Sequence, residues 1–129
     1  MNRRFSVAAL IVLLALGRAE AGEVIAHESV TLTADEVRDV FLGEKQFSAN
    51  LRLIPVDNDV VQTEFLAKVL QTDRQKYIAR WTKKTFREGL PAPLSKGSDA
   101  AVIAFVRATP GAVGYISGKA HGVKLLEKF

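Results

Sequence analysis

Five polar side chains in two short segments are the residues best suited to hold a small ligand. Asn58, Asp59 and Thr63 span a junction where an aliphatic run turns into a helical pattern, and Ser29 and Thr31 sit in an earlier polar loop. Hydroxyls, an amide and the first amides of a helix together make a hydrogen-bonding rim, the kind of edge that grips an anion or a polar solute. The same residues also have a purely structural use. Asp59 with Gln62, three residues on, is a helix cap whose carboxylate takes the first helical amides for itself. Ser29 and Thr31 suit a solvated loop as well as a shared rim.

Covalent and metal chemistry find no constellation. No serine sits in a nucleophile elbow, and no glycine-rich phosphate loop is present. His27 and His121 are the only histidines, cysteine is absent, and no tight acidic cluster lies beside them, so three or four converging metal ligands are not expected. The chain reads as a non-enzyme without metal or cofactor. Tyr77 and Trp81 share a helical face and suit a core as well as a stacking platform. Lys83, Lys84 and Arg87 make a modest basic face that a solvated surface explains. Tyr115 fits either the carboxyl end of a strand, where open α/β sheets place ligands, or a core position with its hydroxyl at the surface.

Length and composition bound the class. The chain has 129 residues and 48% hydrophobic content, enough for one domain with a core. A basic start at Asn2-Arg3-Arg4, the 13 apolar residues 5–17 (FSVAALIVLLALG) and Ala19-Glu20-Ala21 predict a secretory signal peptide over 1–21 and a single domain over 22–129. A retained membrane anchor is the alternative, although the apolar run is short for a span. Without cysteine there is neither a lipoprotein anchor nor a disulfide. A periplasmic protein released by cleavage is therefore expected. The residues from Gly22 onward hold 15 cations against 13 carboxylates, too small a surplus to argue for nucleic acid or membranes.

Strand and helix signals alternate. Val24-Ile25-Ala26-His27 reads as a strand. Thr33 with Glu36 is a capping box before the apolar face Val37, Val40 and Phe41. Leu51 to Val56 reads as the next strand, with Pro55 marking its end. Helices follow from Asp59 (Val61, Phe65, Val69), from Asp73 (Tyr77, Ile78, Trp81, Thr85) and from Ser98 (Val102, Phe105, Val106). Pro110-Gly111 breaks the last of these before a buried strand at Ala112 to Ile116, and residues 123–126 can add another. The pattern predicts an α/β fold, a mainly parallel sheet flanked by helices on both faces.

The segments at residues 30–46 (VTLTADEVRDVFLGEKQ), 52–70 (RLIPVDNDVVQTEFLAKVL), 80–89 (RWTKKTFREG) and 96–117 (KGSDAAVIAFVRATPGAVGYIS) resemble, in order and spacing, the second lobe of the periplasmic phosphate-binding receptors of ABC transporters. The resemblance implies one lobe of a type-2 periplasmic binding protein, where the family's receptors have two. It also implies a small-anion ligand and an inner-membrane permease or sensor as partner, or a homodimer that pairs two lobes. The family's anion turn reads Arg-x-Asp-x-Ser-Gly-Thr. The matching positions here are Pro55, Asp57, Asp59, Val60 and Val61, so only the aspartate is kept. Losing the arginine and placing the Asp59 carboxylate at the ligand's position both work against phosphate. Two functions follow: a solute-binding-like protein with a degraded anion site, or a periplasmic interaction module without a ligand.

Overall fold

A computed structural model describes residues 20–129, so all but the end of the expected leader lies outside the described residues. The elements are β1 (Glu23–Ala26), α1 (Ala34–Phe41), β2 (Phe47–Ser48), β3 (Leu51–Arg52), β4 (Ile54–Asn58), α2 (Gln62–Lys68), α3 (Arg74–Glu88), β5 (Leu94–Lys96), α4 (Asp99–Ala108), β6 (Ala112–Ile116) and β7 (Lys124–Lys128). Local chemistry starts three of the four helices. The Thr33 hydroxyl accepts from the Glu36 amide while Glu36 accepts from the Thr33 amide, a complete capping box. Asp73 accepts from the Lys76 amide at 2.9 Å, and Ser98 from the Ala101 amide at 3.1 Å.

The main sheet has the order β5-β4-β6-β1-β7. β4 is parallel to both β5 and β6. β1 runs antiparallel to both β6 and β7, so four of the five strands point the same way and β1 alone is reversed. The architecture is α/β, with helices on both faces. Side-chain alternation divides the core in two. Val24, Ala26, Val113 and Tyr115 meet α1, α2 and α3 on one face. Ile25, Val56, Ala112 and Ile116 meet Val102 and Val106 of α4 on the other. Gly114 makes the second packing possible, because a Cβ there would lie 2.7 Å from Val56 and 2.8 Å from Val102.

Two strand expectations change. The run from Leu51 to Val56 is split, with β3 forming a small hairpin with β2 before β4 begins. Pro55 does not end a strand but lies inside the central strand β4. It is tolerated because the Ile54 amide already points to β6, donating to the Gly111 carbonyl at 2.9 Å. The missing N–H at Pro55 therefore falls on the β5 side, where pairing starts only at Val56. Both described chain ends meet at the carboxyl edge of the sheet, where Gly22 and Phe129 exchange two backbone hydrogen bonds. No helix among the described residues is long and apolar enough to cross a membrane.

Candidate functional site

The carboxyl end of β4 places three consecutive polar residues, Asp57, Asn58 and Asp59, in three different surroundings. Asn58 is fully buried and uses its whole amide. Its Nδ2 donates to Asp99 at 2.8 Å and to the Tyr115 carbonyl at 3.0 Å, and its Oδ1 accepts from the Val60 amide at 3.0 Å. That side chain turns the chain out of β4 and ties it to α4 and β6. Asp99 also accepts from the Ser117 hydroxyl at 2.7 Å and from the Ser117 amide. Burial pushes the Asp99 carboxyl up, but the Ser117 and Asn58 hydrogen bonds outweigh it and hold it below the usual range.

Asp57 points to the opposite face and is 4% exposed. Its donors are phenols: Tyr115 Oη at 2.8 Å and Tyr77 Oη at 3.0 and 3.2 Å. No Lys or Arg of the described residues forms an ion pair with it. Burial drives its carboxyl up to about 6, the two hydroxyls pull it back, and the charge of Asp59 adds to the rise. Burial, followed by the Asp57 charge, holds both phenols above their ordinary range. Tyr115 is rigidly seated, its ring stacked on Phe65 with centroids 3.8 Å apart and tilted edges of Phe41 and Phe129 nearby.

Asp57, Asp59 and Tyr77 form one end of a half-open groove of about 640 Å³ between α3 and the edge strand β5. Trp81, Ile78, Phe86 and Pro93 make it largely apolar, and Arg74 and Gln62 stand at its polar end. A smaller groove of about 350 Å³ shares Trp81, Ala92 and Pro93 with it. The arrangement offers an apolar wall with carboxylates at one end. Among the described residues no group of three His, Cys, Asp or Glu is gathered for a metal.

The five residues singled out by the sequence do not come together. Asn58, Asp59 and Thr63 stand at the carboxyl end of β4. Ser29 and Thr31 follow the reversed strand β1, so they sit at the other end of the sheet. There Ser29 accepts from the Gly111 amide and pairs with His27, while Thr31 lies beside Lys124. The expected common rim is therefore absent. Asp59 does not cap α2 either: its carboxylate takes the Ser95 hydroxyl and its amide donates to the Lys96 carbonyl, extending β4 along β5. The N-cap position of α2 is Val61, without a side-chain cap. Thr63 is exposed on the first turn of α2. Tyr77, Trp81 and Tyr115 are core residues. The Asp57–tyrosine cluster was not anticipated, and its only sequence signal is an acid directly following the apolar run Leu53 to Val56.

Comparison of the sequence with protein-family models and with curated proteins returns no match. Among solved structures, the chain is similar in fold to an ABC-type phosphate transport receptor from Vibrio cholerae, with a TM-score of 0.53 and 16% identity over 84% of this chain. The chain spans 46% of that receptor's length. The likeness is one of architecture: a single α/β lobe of the periplasmic-binding-protein kind.

Proposed function

We propose that this chain is an exported, non-catalytic solute-binding-type protein of the periplasm, released by cleavage of its leader, whose strand-end turn no longer serves phosphate. The observation that carries the reading is the polarity of the β4 end inside a receptor-like lobe. Asp57 is buried without a cation, and Asp59 adds a second carboxylate at the groove. An anion about 4 Å from one such charge near a protein surface is repelled by roughly 4 kcal/mol at an effective dielectric near 20. That corresponds to about three decades of affinity. The larger groove is the surface we assign to a solute, with its apolar wall along α3 and a polar end where Arg74 and Gln62 accompany Asp57 and Asp59.

Calorimetric titration with inorganic phosphate in low-salt buffer tests the reading. A flat trace on the folded protein is expected. Saturating heat at a defined stoichiometry would mean that backbone amides or a second protomer replace the lost arginine, and the phosphate-receptor function would then stand intact. A second reading, a docking module working beside a membrane transporter or sensor, draws its support from the exposed Phe86 on α3.

A further inference from the structure

Helix α3 carries a charged outer surface that the β4 end does not use, bordered by Phe86 at the rim of the larger groove. Between Arg74 and Glu88 it holds six cations and one carboxylate, whereas the other residues of 22–129 hold nine cations against twelve carboxylates. A domain close to neutrality thus gathers its positive charge on one helix. Tyr77 and Trp81 face the core, so helical spacing puts Lys76, Ala79, Lys83, Phe86 and Arg87 on the outer crest, all exposed. Arg80 and Lys84, nearer the core, are engaged by Glu44 and Glu88. Lys83 and Arg87 have no carboxylate partner among the described residues, and Lys76 reaches only Asp73, at 4.0 Å. Phe86 stands among these cations 91% exposed, and Ile78 is half exposed on the groove side of the same helix.

A bare aromatic ring beside long-stemmed cations, two of them without a carboxylate partner among the described residues, matches the charge and depth profile of one kind of surface. We propose that the α3 crest docks on an anionic phospholipid bilayer, with Phe86 entering the boundary between headgroups and acyl chains and Lys76, Lys83 and Arg87 meeting lipid phosphates. Charge favours a bilayer over a folded partner: from Lys76 to Arg87 the helix holds cations with no carboxylate between them, and a fluid layer of lipid phosphates meets such a face without a matched shape. A deformable headgroup layer accepts a protruding ring without a matching pocket, whereas a rigid protein surface needs one. The surface assignment goes beyond the proposed function, and the export reading sets only which leaflet the crest would meet.

Co-sedimentation of the exported protein with phosphatidylcholine vesicles, with and without phosphatidylglycerol, tests the proposal. Binding is expected on the anionic vesicles, weakening as salt rises. The triple variant Lys76→Gln, Lys83→Gln, Arg87→Gln should lose about a hundredfold in partitioning, at roughly a fivefold factor per basic residue. Phe86→Ser should weaken binding several-fold while the preference for anionic lipid stays. All four positions are exposed, and circular dichroism checks that the variants fold. Any leader left on the chain contributes equally to every variant, so the difference between them reads α3. Equal partitioning onto both vesicle types, or an unchanged preference in the triple variant, overturns the proposal. Displacement by free phosphate at matched ionic strength overturns it as well, since a soluble anion would then occupy the face. Cell fractionation tests export separately: a cytoplasmic protein whose α3 crest still selects anionic vesicles removes the export reading and leaves the surface assignment standing.

Discussion

The two faces of the sheet are built on different principles. On the α4 face, Val56, Val102, Val106, Ala112 and Ile116 close around Gly114, and small aliphatic groups lock helix to strand. On the opposite face, three helices rest on a cluster of Phe41, Phe65, Tyr115 and Phe129. That face also holds the buried Asp57 and opens into the grooves of about 640 and 350 Å³ that share Trp81. The tight face is scaffold, and the aromatic face is the one that leaves open grooves.

Removing the centre of the aromatic cluster breaks the comparison most directly. Phe65→Ala should destabilise the fold by about 3–5 kcal/mol in denaturant unfolding; a loss below ~1 kcal/mol would mean that the cluster does not carry its face. Next comes the buried carboxylate. Unfolded, Asp57 releases its proton near 3.8, and folded only near 6. Between those values folding takes up a proton, so stability falls as pH rises through the window and stays lower above it. Asp57→Asn should abolish that fall, a differential of about 2.4 kcal/mol from pH 4 to pH 7. Parallel pH–stability curves for the two proteins would place Asp57 in contact with water.

The tight face is tested by addition. Gly114→Ala puts a methyl group against Val56 and Val102, and should cost about 1–3 kcal/mol even though alanine is the smallest possible change. A neutral result would show slack in the α4 packing and weaken the contrast between the faces. The smallest effect belongs to the crest of α3. Phe86→Ser should leave stability within about 0.5 kcal/mol, as for an exposed side chain with nothing packed on it. A larger loss would mean that Phe86 packs into the groove it borders rather than standing free, and would remove it from the lipid-docking surface.

Much of the architecture was legible from residues three or four apart. Thr33, Asp73 and Ser98 cap their helices as their spacing predicts, and Val37, Val40 and Phe41 face the core. Other assignments failed where a competing partner was distant in the chain. Asp59 has a cap's spacing, yet Ser95, thirty-six residues away, takes its carboxylate. Pro55 resembles a strand end, yet the staggered start of β5 leaves room for it in the central strand. Ser29 and Thr31 were separated from Asn58 by the reversal of β1, a single strand direction that no local pattern encodes.

The sequence by itself determined the alternation of strands and helices, most helix starts and the aliphatic faces. Those depend on contacts within a turn or two of chain, where side-chain type and period suffice. Tertiary structure alone decided that Asp57 is buried between two tyrosines, that Asn58 ties three elements together, and that the groove opens on the aromatic face. Each of these joins groups twenty to sixty residues apart. Whether a carboxylate meets water, a phenol or a cation there is set by strand order and helix packing, which close only when the whole sheet has formed.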